Sequence, residues 1–510
     1  MFRPIRILIL SLLFLGCVKE IDYKTLTTAF STDIRGFDPA FATDIRTGKI
    51  ISLVYDNLVR FDNEMNLVPA LAQQWSVDLT GRKYTFIIRN NVHFHDGSLL
   101  TVFDIAKSFQ RILDPNTASP QTWLLDRIIG AKDFMIGKED SLKGLIISND
   151  STIVIKLDKP FAPFIQYLAM PAVAIINIKE NESLTQTPSG SGPWKLERWE
   201  RDGEIILSRN EKYWDNHPKT ERMRIRILSE VMTQSAEFEA GSLDILEVPQ
   251  GEMEYWKQYS YNQLDVDELN IWYIGMNCSR SPFNDVRLRR AMNYAIDREK
   301  IIHILLDSSA TLANGPLPPQ LLHEVGEMHY EYNPNRAIQL LKEAGFDNDL
   351  HTELYVAGGS EMFHVLEALQ SDWEKVGITV DIKRSDWNVF KTSVREGKPD
   401  LYYLDWFADY PDGENFLYPL FHSKESMTKR NRFSDPEIDV IIEKIQQLTN
   451  SIERQQLIAT ANRMVADAAP WVFLWHSKTT YLTREWISGF QPSSIFNANR
   501  YMNITKDPPR

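Results

Sequence analysis

Residues 400–407, DLYYLDWF, are almost continuously apolar and aromatic. A run of this length without alternation is what a strand covered on both faces requires, so it demands a sheet with helices layered on either side. The run breaks into Ala408-Asp409-Tyr410-Pro411-Asp412-Gly413, which has turn chemistry. In open α/β sheets ligands bind just beyond the carboxyl ends of the strands. An acid there, fenced by Trp406, Phe407 and Tyr410, lies in low dielectric and is costly to bury unless it meets a cation. Asp409 is therefore read as a carboxylate awaiting a cationic ligand. The plain alternative is that it caps a helix near Phe416.

Before residue 271 the pattern is β-rich. A strand is expected over 27–34, a helix over 45–58, and a hairpin with arms 75–77 and 84–89. Thr101 and Asp104 have capping-box spacing ahead of an apolar stripe that Asp114-Pro115 ends. Strands follow over 145–147 and 152–157. Ser189-Gly190-Ser191-Gly192-Pro193 is a glycine-rich joint before a second hairpin, 194–199 with 204–209. Beyond 271 helices dominate. Asp297 and Asn333-Pro334 are caps, Gly345 closes a helix, and 387–395 and the stretch opened by Asp435-Pro436 are helical. Strands are expected over 378–382, 400–407, 472–475 and 479–482. Their alternation with helices predicts a mixed, largely parallel sheet.

At 510 residues the chain has room for about three domains. A net charge of −13 argues against a nucleic-acid partner, which needs a basic stripe. At the N-terminus Arg3 and Arg6 precede an apolar run over 7–15, interrupted by Ser11. That run is shorter than the about 20 residues a membrane span needs and has the length and flanks of a secretory signal. It ends in Phe14-Leu15-Gly16-Cys17, which resembles the lipobox of bacterial lipoproteins, whose cysteine is lipidated and becomes the first residue of the mature chain. A plain signal peptide cut nearby is the alternative. Cleavage before Cys17 leaves Cys278 as the one internal cysteine, so no internal disulfide and no cysteine-based zinc site is expected.

Several segments, in order, resemble the extracytoplasmic solute-binding proteins for oligopeptides, dipeptides and nickel that serve ABC importers. Pro69-Ala70-Leu71-Ala72-Gln73-Gln74-Trp75, Tyr84-Thr85-Phe86-Ile87-Ile88-Arg89 and Val92-His93-Phe94-His95-Asp96-Gly97 are similar to the family's longest signature. Gly190-Ser191-Gly192-Pro193-Trp194, with Arg209-Asn210 and Tyr213-Trp214, resembles a second. Pro282-Phe283-Asn284-Asp285-Val286-Arg287, with Ala295-Ile296-Asp297-Arg298, resembles a third. The resemblance implies an α/β, two-lobed periplasmic-binding-protein fold of type II-like architecture, with an extra inserted domain and two hinge crossings. On that pattern 1–16 is signal and 17–28 a tether. Lobe I is 29–54 with 186–270 and 481–510, the inserted domain is 55–185, and lobe II is 271–480.

The same resemblance implies a receptor that takes short peptides between its lobes and hands them to the permease subunits of an ABC importer. The receptor is expected to be a monomer without cofactor or resident metal, held in the cell envelope by a lipid at Cys17, in the periplasm or on the outer face of the cytoplasmic membrane. Asp409 matches the aspartate that binds the peptide α-ammonium. Trp406, Trp387 and Tyr410 match or flank the aromatic wall of the cleft. Where oligopeptide binders carry arginines that help receive the peptide carboxylate, this chain has Tyr403 and, one step off at Val394, Arg395. The family's disulfide is absent, since its positions fall near Tyr273 and Phe407.

Other readings compete. Trp387 and Trp406 are also what a packed core uses. His93 and His95 share a strand face and Asp96 follows, a spacing that can hold a metal. Asp405, Asp409, Asp412 and Glu414 crowd together as calcium ligands do, though without EF-hand spacing. The scaffold could serve a haem or other tetrapyrrole, a nickel chelate or a dipeptide alone. A peptidase or a surface interaction protein is the reading from another class, but the nucleophile elbow, the H-E-x-x-H helix and the phosphate-binding loop are all missing from the sequence.

Overall fold

The computed structural model describes residues 21–178, 184–324, 326, 328–346, 350–358, 362–425, 430–449 and 451–508. The signal segment and Cys17 lie outside the described residues.

Strand β1 (Thr25–Phe30) leads to helix α1 (Ile45–Val54). Asp44 opens α1 by accepting the Thr47 N–H at 2.9 Å. The helix stops four residues short of the expected Leu58, and its end is captured from outside. Gly192 N–H donates to the Val54 carbonyl at 2.9 Å. A β-carbon on Gly190 or Gly192 would stand 2.1 or 2.5 Å from Val54 backbone atoms, so the glycine-rich joint is a cradle for this helix end. Asp56, buried just beyond, accepts from Ser191 Oγ, Tyr213 Oη and Trp214 Nε1 and pairs with Arg500 at 2.8 Å. The second signature and the C-terminal segment therefore meet on one carboxylate.

Strands β2 (Ala72–Val77), β3 (Lys83–Ile88), β4 (Leu145–Asn149) and β5 (Thr152–Lys156) form an antiparallel sheet in the order β2-β3-β5-β4. Helix α2 (Val102–Leu113) adds its apolar stripe to the same core; Thr101 N–H donates to Asp104 at 2.8 Å, closing the capping box. Strands β6 (Trp194–Glu200), β7 (Glu204–Arg209) and β8 (Arg222–Ile227) complete another sheet with β1, in the order β1-β8-β7-β6.

The largest sheet begins with two strands, β9 (Ile245–Glu247) and β10 (Asn262–Asp267). That sheet contains β11 (Asn270–Met276), β12 (Ala310–Leu312), β13 (Leu350–Ala357), β14 (Ile378–Ser385), β15 (Leu401–Phe407) and β16 (Trp471–Thr483). The two strands expected over 472–475 and 479–482 are one 13-residue strand, β16. Its first half pairs with β11 and β12 and its second half with β9 and β10, the changeover falling at Ser477 and Lys478. The chain thus passes between the two strand sets twice, once along β16 and once between Asp267 and Asn270. The sheet is mixed but not largely parallel: β13 is parallel to β14 and β15, whereas β11 is antiparallel to both β15 and β16.

Both faces of this sheet are covered, as residues 400–407 require. One core includes side chains of α3 (Val286–Tyr294), α4 (Arg298–Leu305), α5 (Pro334–Glu343) and α6 (Phe363–Glu374). The other includes those of α7 (Trp387–Arg395), α8 (Glu414–Phe421), α9 (Pro436–Gln447) and α10 (Ser451–Ala468).

Candidate functional site

β15 delivers the site. Its ladder to β11 is extended by one bond, Ala408 N–H to the Leu269 carbonyl at 2.8 Å, and the chain then turns. Asp409 N–H donates to Asn415 Oδ1 at 2.9 Å, which fixes the turn to the first turn of α8. The residue that accepts from the first N–H of α8 is Asp412, at 2.8 Å from Glu414 N, so the capping role considered for Asp409 belongs to Asp412.

Asp409 is half-buried and faces a cavity of about 160 Å³. The cavity wall combines Asp44 at the start of α1, Gln121 and Trp123, Pro171, Phe407 beside Asp409, and Phe496. Among the described residues no lysine, arginine or histidine forms an ion pair with Asp409. Burial raises its carboxyl from 3.8 to about 6, and the Asn415 side chain, which lowers it, only partly compensates. Asp44, the other acid in the wall, pairs with Arg35 at 3.4 Å. The cavity therefore presents one uncompensated carboxylate and a second acid, a setting that favours a cation.

Of the six ligand-binding residues expected from the sequence, Asp409 alone lines this cavity. Trp406 is half-buried against the α7–α10 core, and its indole N–H has no partner among the described residues. Trp387, in the first turn of α7, is 49% exposed with its ring 5.9 Å from Phe390. Tyr403 points to the other side of the sheet, buried and stacked on Trp272 at 5.2 Å. Arg395 is exposed at the end of α7. Tyr410 turns toward the segment that carries α2. Its ring lies 5.1 Å from that of Tyr167, and its hydroxyl donates to Glu414 at 2.5 Å. Strand alternation separates Tyr403 from Trp406, and the turn after β15 sends Tyr410 away from Asp409.

Several of the candidate metal ligands meet protein partners instead. His95 Nε2 is 2.9 Å from the Gly192 carbonyl, and His93 Nδ1 is 3.2 Å from the Asn91 carbonyl. Asp412 receives a two-pronged bond from Arg454 at 2.8 and 2.9 Å, and Glu414 takes Tyr410 and Gln446. Among the described residues no group of three His, Cys, Asp or Glu is placed to hold a metal ion. Cys278 is a free thiol that burial pushes up to about 11.

Gln121, Trp123 and Phe496 are wall residues that the sequence did not disclose. They come from segments far along the chain from Asp409 and belong to no motif.

The sequence was also compared with known proteins. The profile of the bacterial extracellular solute-binding proteins, family 5 (middle), matches residues 66–428. The chain is 30% identical over 472 residues to heme-binding protein A of Haemophilus influenzae, covering 87% of this chain and 85% of that protein. It is 25% identical over 511 residues to the dipeptide-binding protein of Escherichia coli, covering 94% of each. The solved structure of MppA, a periplasmic murein tripeptide binding protein in unliganded open form, superposes with a TM-score of 0.82 at 22% identity, covering 95% of this chain and 98% of that one. The architecture is thus that of the periplasmic binding proteins, and the chain belongs to the bacterial extracellular solute-binding proteins of family 5.

Proposed function

We propose that this protein is an extracytoplasmic receptor that captures short peptides in the cleft beside β15 and delivers them to an ABC-type peptide importer. The observation that carries the reading is the half-buried Asp409 carboxylate, which faces a cavity and has no cation partner among the described residues. A peptide α-ammonium supplies the missing charge, and a charge-assisted bond of this kind contributes about 1.5–3 kcal/mol. Main-chain pairing to strand edges would hold the rest of the peptide without regard to its side chains. The dipeptide-binding relative supports the peptide class. The protein performs no reaction in this scheme. The lobes are 29–54 with 186–270 and 481–510, and 271–480, with 55–185 inserted. They close by bending at the two crossings, a known route to enclosing a ligand. Cys17 carries the lipid that keeps the receptor at the membrane.

The test is thermal stabilisation of the mature protein by trialanine, in wild type and Asp409→Ala. Stabilisation of the wild type and its loss in the variant are expected. Equal stabilisation of both would remove Asp409 from the account. A second reading, haem capture, is favoured by the 30% identical heme-binding relative. Soret absorbance that stays with the protein through gel filtration, with no response to peptides, would select it.

A further inference from the structure

Helix α1 separates two sets of cavities. Ile45 and Gly48 face the one that holds Asp409. Arg46 and Lys49, each one position on and so about 100° further round the helix, line neighbouring cavities instead. Arg46 lines a cavity of about 290 Å³ together with Trp272, Trp475 and Lys478. Arg46 and Lys49 also line a smaller one of about 50 Å³. These two share Arg46, Gln234 and Glu247 in their walls, and the smaller shares Phe496 with the Asp409 cavity. The spaces therefore run in sequence around α1, from an unpaired acid to a pair of cations.

Neither cation is neutralised. Arg46 donates to Ser31 Oγ at 2.9 Å and stands 5.1 Å from the Phe30 ring centre, and it makes no ion pair among the described residues. That bond uses one of the five guanidinium N–H donors. Lys49 is half-buried, and its ammonium meets no hydrogen-bond or ion-pair partner among the described residues. Burial pushes its pKa down, and the Arg46 charge adds to this against the opposing pull of Glu247 and Glu268. Glu247 is exposed at the rim. Burial raises the Glu268 carboxyl to about 7, so it carries only part of a charge at neutral pH. In the smaller cavity Arg46 and Lys49 face one acid, Glu247, and this excess of positive charge favours an anion there. Lys478 is already engaged with Asp267 at 3.7 Å.

We propose that Arg46 and Lys49 form the subsite that receives the carboxylate of the bound ligand. This rests on the peptide reading, in which Asp409 holds the opposite terminus. The planar fork of Arg46 suits a carboxylate, and Lys49 adds a point charge. Tyr403 and Arg395 do not compete for the role, since one is buried in a core and the other is exposed at the end of α7.

Calorimetry with trialanine and its C-terminal amide tests this on wild type, Arg46→Gln, Lys49→Met and the double variant. Amidation is expected to weaken wild-type binding by about 10- to 100-fold. The double variant is expected to bind acid and amide alike, near the wild-type affinity for the amide. Equal wild-type affinities, or a double variant that keeps the full preference for the acid, overturn the proposal. The amide comparison within the wild type needs no substitution, and unliganded melting temperatures report the fold of the variants. If the wild type binds neither peptide, the peptide reading fails by itself. Haemin and its dimethyl ester, which lacks the free carboxylates, then carry the test on the same proteins. A preference for haemin that disappears in the double variant supports the carboxylate subsite. An unchanged preference, or no binding of either, overturns it.

Discussion

Asp409→Asn should make the empty protein more stable while it destroys ligand capture. Burial lifts the carboxyl from 3.8 to about 6, so the ionised form is disfavoured in the fold. An acid whose folded-state pKa is raised costs stability at every pH above its unfolded value. The cost is complete above about 6 and fades as pH falls toward 3.8. A rise from 3.8 to about 6 corresponds to about 3 kcal/mol at neutral pH. Allowing for the water the cavity admits to a half-buried group leaves about 1–2 kcal/mol. Asparagine removes that cost and can keep a hydrogen bond to Asn415. Denaturant titrations of unliganded wild type and variant at pH 7.5 and pH 4.5 measure the difference. The variant should be ahead by about 1–2 kcal/mol at pH 7.5, equivalent to about 1–2 °C in melting temperature at this chain length. At pH 4.5 the gap should shrink to about half to two-thirds of that. A variant no more stable than wild type at pH 7.5, or a gap that ignores pH, would refute the view of Asp409 as an uncompensated charge.

Peptide binding requires ionised Asp409, so affinity should fall about tenfold from pH 7.5 to pH 5, and calorimetry in buffers of different ionisation heat should detect protons released near pH 6. Arg500→Met removes the ion-pair partner of buried Asp56 and leaves the Ser52 and Tyr55 carbonyls without it. A loss of about 3–5 kcal/mol in stability is expected by denaturant titration. Gly192→Ala drives a methyl group into the Leu53 and Val54 backbone at the end of α1. Stability should drop by about 1–3 kcal/mol, read as a lower melting temperature, with peptide affinity weakened because α1 walls the cleft.

Local chemistry was legible wherever one side chain decides the backbone. The capping box at Thr101, the caps at Asp297 and Asn333 and the helix at Trp387–Arg395 all follow from such residues. Elements without punctuation were missed. α10 is polar along much of its length and carries only a weak apolar stripe. β13 does alternate, with Leu350, Thr352, Leu354 and Val356 buried, but no capping or turn residue within it marks it as a strand. β16 reads as two strands because its apolar run gives way at His476, Ser477 and Lys478, where the strand changes partners. The cleft was half legible. The acid at the end of β15 could be identified from the strand before it and the turn after it. Its surroundings could not, because Asp44, Trp123 and Phe496 come together only through the packing of distant segments. Tyr403 and Arg395 failed as neighbours of Asp409 for the same reason. Position along a strand or helix does not state which cavity a side chain reaches.

The most direct measurement is calorimetric titration of the mature wild-type protein with a tripeptide and with the same peptide acetylated at its N-terminus. Acetylation removes the ammonium and changes little else. If Asp409 waits for that charge, the acetylated peptide should bind more weakly by about 2–5 kcal/mol, on the order of 30-fold or more. The two peptides should become equivalent in Asp409→Asn. Equal binding of the free and acetylated peptides to the wild type would contradict the account.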